Sequence, residues 1–304
     1  MARTVLFVGA GRHQRRAIER AQELGLRVVG VDRNPDALGL QAADMAEVVD
    51  FSDVAAVERV GRSHEVDGAL TVSADRAVPV VAAVTERLGL PSIGTDVAHL
   101  MTNKIAMRRR LAEAGVSQPR FAALRSVHEA GAALRHVGLP AVLKPADSGG
   151  QRGIFLIESE DDLLAHLHVA LAESQTGEAL VEAFHEGLEL NGLVLARGGE
   201  SHVLTLSDRL RPPGVGFGVG WIHVYPASLY GDVLAEAERV AVHAVHALGL
   251  HDARECADAL EAGEGQHLAG RERTGLRGQE PDRERPAEAR AGQLVRDGDP
   301  ESLP

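Results

Sequence analysis

Short apolar runs alternate with amphipathic stretches along the first 95 residues. The apolar runs predict buried strands, and the stretches with apolar residues every three or four positions predict helices. The predicted strands are 4–9, 26–31, 47–49 and 67–72, and the predicted helices are 17–24, 54–63 and 77–88. Strands that alternate with helices in this way are typical of a parallel sheet covered on both faces.

Beyond residue 95 the pattern predicts a long helix over 96–114, followed by strands grouped around a glycine-rich segment. The predicted strands are 140–144, 154–157, 180–184, 188–195, 203–206 and 221–224, and the further helices are 159–172 and 232–248. The glycines of residues 147–153 lie between two of these strands, in a hairpin-like loop, and a second loop is predicted at 214–220.

The character of the chain changes after residue 253. Residues 254–304 hold 8 arginines and 12 acidic residues, with no Ile, Phe, Tyr, Trp or Met. Such a segment buries too little apolar surface to offset the entropy of ordering it. We expect a polar, disordered tail with a frayed helix near 257–262.

Composition and charge argue against several classes of partner. The 304 residues carry 44 acidic and 32 basic side chains, a net charge of −12, which argues against nucleic acid as a partner. No apolar run approaches the ~20 residues that cross a bilayer, and no export signal precedes the first strand. A single cysteine, Cys256, excludes an internal disulfide. We expect a cytoplasmic protein with no membrane partner.

Lysine is rare in this chain. Only Lys104 and Lys144 occur among the 32 basic residues, and all the others are arginines. Either this is chance in an arginine-biased composition, or the two positions need a compact ammonium group instead of a wide planar guanidinium.

A glycine pair after the first strand offers one candidate site. Gly9 and Gly11, with Asp32 at the end of the second strand, resemble a dinucleotide fingerprint. Gln14 stands where the third glycine of that fingerprint is expected, and its side chain would obstruct close packing or pyrophosphate approach. The pair is therefore either a structural turn or the site of a nicotinamide-dependent oxidoreductase.

Two later segments offer a phosphate and a nucleoside site. Backbone N–H groups of the loop 148–153 can cradle phosphate oxygens, with Lys144 on the preceding strand adding a point charge; the alternative is a flexible hairpin. In the segment 181–189, Glu182 and Glu189 flank a turn. They are either solvated carboxylates of a hairpin or part of a site in which the backbone meets adenine and Glu189 meets ribose.

Four segments in this order resemble the ATP-grasp superfamily, especially carboxylate–amine ligases similar to the carbamoyl-phosphate synthase large chain. They are MTNKIAMR and LAEAGVSQP (101–108 and 111–119), LPAVLKP (139–145), DSGGQRGI (147–154) and VEAF with GLE (181–184 and 187–189). The resemblance covers about residues 4–252.

The resemblance implies α/β and α+β architecture in four parts. A Rossmann-like preATP-grasp domain would occupy 1–95, ATP-grasp lobes 96–175 and 176–253, the second incomplete, and the tail 254–304. The implied ATP-binding residues are Lys104, Lys144, Ser148, Gly149, Gly150, Gly153, Glu182, Ala183, Phe184, His185 and Glu189. Arg209 is implied as a catalytic residue that clamps the substrate carboxylate, with His223 beside it in the substrate pocket.

The resemblance also implies ATP and Mg²⁺, with a small-molecule carboxylate and an amine as substrates. The γ-phosphoryl group would pass to the carboxylate, and the amine would attack the acylphosphate. Exposed sheet edges and an incomplete second lobe are compatible with a homo-oligomer. The carboxylate and the amine themselves are not specified.

One departure from the family pattern concerns the metal ligands. Family members carry a glutamate and a Glu-x-Asn strand late in the second lobe, whereas no Glu-x-Asn occurs after residue 250 here. We hypothesise that a change of reading frame altered residues 254–304. The metal ligands are then unknown, with Glu255 and Glu261 as candidate substitutes. A non-catalytic ATP-binding protein is the third functional hypothesis.

Overall fold

The computed structural model describes residues 2–211 and 222–250. The chain divides into two compact units, residues 1–261 and residues 262–304. All the described residues belong to the first unit. Several sequence-based predictions lie outside the described residues. They are the loop at 214–220, the helix near 257–262, the disordered tail and the substitute metal ligands Glu255 and Glu261.

The first sheet is parallel, with the strand order β3-β2-β1-β4. Its strands are β1 (Thr4–Val8), β2 (Arg27–Asp32), β3 (Met45–Val48) and β4 (Gly68–Leu70), and its helices are α1 (Arg15–Glu23), α2 (Leu38–Ala42), α3 (Val54–Ser63) and α4 (Val78–Leu88). Side chains alternate along β1, so Leu6 and Val8 join one core cluster and Phe7 joins the other. The prediction of a parallel sheet covered on both faces is confirmed.

The single helix predicted over 96–114 is wrong. Two helices, α5 (Thr95–Thr102) and α6 (Lys104–Glu113), are separated by Asn103, whose backbone is extended. The buried Asn103 side chain caps α6 by accepting hydrogen bonds from the N–H groups of Ile105 and Ala106, both at 3.0 Å. The cap places Lys104 at the first position of α6, beside the glycine-rich loop.

The second sheet is antiparallel, with the order β5-β8-β6-β7. Its strands are β5 (Phe121–Leu124), β6 (Ala141–Pro145), β7 (Phe155–Ile157) and β8 (Ala179–Ala183); α7 (Ala130–Val137) and α8 (Glu160–Glu173) cover one face, and α6 approaches the other. The sequence-based prediction missed α2, β5 and α7.

Strand pairing bears on the boundary predicted between residues 175 and 176. That boundary assigns β8 to the second lobe, yet β8 pairs with β5 and β6 in the first. We therefore propose a boundary after Ala183.

The third sheet has the order β11-β10-β9 and is also antiparallel. It contains β9 (Leu190–Arg197), β10 (Glu200–Leu210) and β11 (Ile222–Val224), and α9 (Gly231–Ala247) packs against β9 and β10. Arg110 of α6 donates from Nε to the Ala247 carbonyl at 2.7 Å, which ties this lobe to α6. Within the described ranges, no helix combines the length and the apolar character of a membrane span.

Candidate nucleotide site

A cavity of about 820 Å³ lies between the second and third sheets. It brings together seven of the predicted site residues: Lys144, Glu182, Ala183, Phe184, His185, Glu189 and Arg209. A second cavity of about 610 Å³ is lined by Lys104, Ser148, Gly149 and Gly150. Gln151 and Ile154 line both cavities, so the glycine-rich loop runs between them. Gly153 and His223 belong to the described lining of neither.

The pairing of β6 with β8 explains how Lys144 reaches Glu182. Val142 lies opposite Glu182 and Lys144 lies opposite Leu180, so Lys144 and Glu182 are diagonal neighbours on one face of the sheet. Their side chains form an ion pair between Nζ and Oε1. The interpretation of Glu182 as a solvated hairpin carboxylate is therefore wrong, since its residue is only 5% exposed.

Glu182 has a second cationic partner, which no motif of the sequence predicts. Arg108 of α6 contacts Oε2 of Glu182 through Nε at 2.9 Å and through Nη2 at 2.8 Å. Burial raises the pKa of Glu182, but Lys144 and Arg108 outweigh it and hold that pKa below the ordinary glutamate value. No spacing in the sequence points to this contact. The fold creates it: Ile105, three residues before Arg108 on α6, packs against Leu180 of the strand that carries Glu182.

Lys104 supports the glycine-rich loop from α6. Its Nζ donates a hydrogen bond to the Ser148 carbonyl at 2.8 Å. Burial, followed by the nearby Lys144 ammonium, lowers the pKa of Lys104. The two ammonium groups therefore lie near each other beside the loop, with the carboxylates of Asp75, Asp147 and Glu182 close by.

The tip of the loop contacts the N-terminal domain at Gly149. A Cβ at this position would overlap the carboxylate of Asp75, so glycine permits the close approach of the loop backbone. Asp75, Ser148 and Gly149 all line the smaller cavity.

Asp147 fixes the start of the loop. Its carboxylate accepts hydrogen bonds from the Ser174 hydroxyl at 2.8 Å and from the N–H groups of Gln175 and Thr176 at 2.8 and 3.0 Å. Partial burial raises the pKa of Asp147, but these hydrogen bonds outweigh it and lower the pKa below the ordinary value.

We expect Asp147→Asn to destabilise the protein by ~1–3 kcal/mol at pH 7, because an amide NH₂ group would face backbone donors. Because the pKa of Asp147 is lower in the folded than in the unfolded state, the ionised carboxylate stabilises the fold fully above pH ~5 and loses this effect as the pH falls below ~4. Urea unfolding at pH 7 and at about pH 3 measures the difference, with exposed Asp36→Asn as the control. An equal effect of both variants at pH 7 would refute the anchoring role.

Arg209 and His223 occupy different surroundings, although they pair across β10 and β11. The Arg209 guanidinium forms an ion pair with Glu189 at the cavity, and its backbone N–H donates to the Glu189 carbonyl at 2.8 Å. His223 is exposed, and its Nδ1 lies 3.4 Å from the Ser207 hydroxyl. A role for Arg209 as a carboxylate clamp remains a prediction.

The turn at Gly9 and Gly11 is occupied by the protein's own groups. Gln14 donates from Nε2 to the Val72 carbonyl at 2.5 Å, and Asp32 accepts from the N–H groups of Ala10 and Asn34 at 3.1 and 2.9 Å. These contacts favour the structural interpretation of the turn.

Two family models match the chain. The ATP-grasp N-terminal domain matches residues 18–92, and the carbamoyl-phosphate synthase L chain, ATP binding domain, matches residues 103–201, together more than half of the chain. The chain belongs to the ATP-grasp superfamily. This result confirms the family resemblance, and the comparisons give no support to an oxidoreductase.

Relatives of this ATP-grasp chain include formate-dependent phosphoribosylglycinamide formyltransferases. The protein of Synechococcus sp. strain CC9605 is 33% identical over 205 residues, 66% of this chain and 52% of the relative. The protein of Burkholderia vietnamiensis is 31% identical over 189 residues, which are 60% of this chain and 46% of the relative. The chain thus spans about half the length of these relatives.

Solved structures show the same ATP-grasp fold. The L-amino acid ligase of Bacillus licheniformis superposes with a TM-score of 0.69 at 22% identity, covering 82% of this chain and 61% of the ligase. The biotin carboxylase domain of the Hydrogenobacter thermophilus 2-oxoglutarate carboxylase was solved in complex with MgADP, ADP and bicarbonate. It superposes with a TM-score of 0.69 at 22% identity, covering 82% of this chain and 59% of that domain's chain.

The described part of this ATP-grasp chain offers no metal centre. No group of three or more His, Cys, Asp or Glu side chains converges in residues 2–211 and 222–250 to hold an ion. The described residues therefore provide no preformed site for Mg²⁺.

Proposed function

We propose that this chain binds ATP in the cavity between the second and third sheets and activates a small-molecule carboxylate for attack by an amine. The observation that carries the proposal is the convergence of Lys144, the loop residue Gln151, the hinge residues 182–185 and Glu189 on one cavity of about 820 Å³. This volume is in the range of small-molecule sites. The names of the relatives, formate-dependent formyltransferases, support the same reaction class.

Each residue has a proposed role in holding the nucleotide. Lys144 and Lys104 would neutralise phosphate charge, while N–H groups of the loop 148–153 would cradle the oxygens. In the hinge, the N–H groups of Ala183 and Phe184 already donate to the carbonyls of Arg120 and Pro140. We therefore assign recognition of the adenine edge to the backbone of His185, and recognition of ribose hydroxyls to Glu189.

The proposed reaction has two displacements. A carboxylate oxygen attacks the γ-phosphorus, the bond from that phosphorus to the bridging oxygen breaks, and ADP leaves. The amine nitrogen then attacks the acyl carbon, inorganic phosphate leaves, and the nitrogen loses a proton. Positioning and charge compensation by the lysines and the loop are the protein's contribution. Mg²⁺, when bound, would compensate further phosphate charge.

ADP release tests the reaction class. Purified protein is incubated with ATP, Mg²⁺ and formate, then with a panel of amino acids, and hydroxylamine traps any acylphosphate as a hydroxamate. The proposal predicts ADP release that depends on a carboxylate, together with the matching hydroxamate. Nucleotide binding without ADP release would instead favour a non-catalytic ATP-binding protein.

The strand pairing and the composition also suggest domain limits and a cellular location for the protein. We propose a preATP-grasp domain over 1–95, an ATP-grasp lobe over 96–183 and a second lobe from residue 184 onward. A cytoplasmic location, in which Cys256 stays reduced, is proposed from the composition.

A further inference from the structure

Glu182 carries two cations, of which the ATP site as proposed uses one. Its Oε1 pairs with Lys144 and its Oε2 pairs with Arg108, so the carboxylate links β6 to α6. Arg108 also has contacts that do not involve Lys144: the Gln118 side chain donates from Nε2 to the Arg108 backbone carbonyl at 2.7 Å. The Gln118 Oε1 atom also accepts from Arg108 Nη1 at 3.5 Å.

The burial of Glu182 makes the number of its partners important. A buried carboxylate without a cation is strongly destabilising, and removing one partner of a buried pair exposes that cost. If a nucleotide phosphate draws the Lys144 ammonium away, Glu182 loses one of its two cations. Arg108 would then remain as its counterion.

We infer that Arg108 is a positioning residue that retains Glu182 and so frees Lys144 to move between this carboxylate and a nucleotide phosphate. The inference rests on the proposed ATP site and adds a residue that the site prediction did not contain. Without Arg108, Lys144 would be held by Glu182, and phosphate would have to compete with that carboxylate for the ammonium.

Two substitutions separate this role from a general contribution to folding. Arg108→Met keeps much of the unbranched apolar stem but removes the charge. We expect it to weaken binding of a nonhydrolysable ATP analogue by about tenfold or more, the scale of one charge-assisted hydrogen bond. Adding Glu182→Gln removes the competing carboxylate, and the double variant should bind the analogue at least about threefold more tightly than Arg108→Met alone.

Arg109→Met is the matched control. Arg109 is the next residue of α6 and is exposed, so the control removes the same charge from the same helix. We expect its affinity to stay within about threefold of the unsubstituted protein. Calorimetric titration of all four proteins, together with their thermal unfolding, gives the complete comparison.

The outcomes distinguish this inference from the proposed function. Rescue of Arg108→Met by Glu182→Gln supports the inference, because loss of packing alone would not be reversed by removing a charge. Unchanged affinity in Arg108→Met, or a double variant no better than that single variant, overturns it while leaving ATP binding intact. Absence of binding in the unsubstituted protein overturns both. If Arg108→Met does not fold, the double variant is compared with Glu182→Gln alone. Equal affinities support the inference, because Arg108 is inferred to act only through Glu182, and about tenfold weaker binding of the double variant overturns it.

Discussion

Replacing Lys144 by alanine is expected to weaken binding of a nonhydrolysable ATP analogue by ~1.5–3 kcal/mol, or roughly ten- to 150-fold in the dissociation constant. The expected loss is that of a charge-assisted hydrogen bond from ammonium to phosphate. Lys144 lines the cavity of about 820 Å³ together with the hinge and Glu189. Its removal leaves Arg108 on Glu182, so the local fold keeps one buried ion pair.

Lys104→Ala provides the comparison for Lys144→Ala. Lys104 lines the smaller cavity and donates to the Ser148 carbonyl, so its loss should act on the loop as well as on phosphate charge. Isothermal titration calorimetry measures both variants. If Lys144→Ala bound the analogue as tightly as the unsubstituted protein, Lys144 would not be a phosphate ligand.

The second large effect is expected at Gly39 in α2, where alanine should destabilise the fold by about 3 kcal/mol, near the upper end of typical overpacking costs. An added Cβ would lie 2.6 Å from the Ala10 carbonyl carbon and 2.9 Å from the Gly11 carbonyl oxygen. Both contacts are backbone atoms of the turn after β1, which cannot give way as the end of a flexible side chain can.

Gly68→Ala is the matched control for Gly39→Ala. A Cβ at Gly68 would meet no atom within 4 Å, so alanine there should be neutral or slightly stabilising. Urea unfolding of the two variants gives the difference in the free energy of unfolding. Equal stability of the two variants would contradict the close packing of α2 on the turn.

The elements that sequence predicted well are those whose periodicity is strong over several residues. The parallel N-terminal sheet follows from apolar strands and amphipathic helices, and Val54–Ser63 was predicted with its observed bounds. The strand Phe121–Leu124 shows no alternation to predict it, because its four residues are all apolar, three of them half-buried and Leu124 buried. Leu38–Ala42 is too short to show a period. At Asn103 a side-chain cap interrupts a pattern that otherwise continues as a helix.

The candidate site was predictable where motifs are local and not where pairing is distant. Lys144, the glycine-rich loop and the segment 182–189 carry their own sequence pattern. Arg108 reaches Glu182 across 74 positions of sequence, and the register of β6 against β8 decides which side chains meet Lys144. Such contacts depend on tertiary structure, which one sequence does not specify by spacing.

The central claim is that the nucleotide site lies in the cavity between the second and third sheets and not at the turn after β1. Calorimetric titration of the unsubstituted protein, first with a nonhydrolysable ATP analogue and then with NADH, tests it most directly. We predict saturable binding of the ATP analogue at one site and no heat of binding from NADH. Binding of NADH without binding of the ATP analogue would contradict the claim, and it would favour a dinucleotide site at the turn of Gly9 and Gly11.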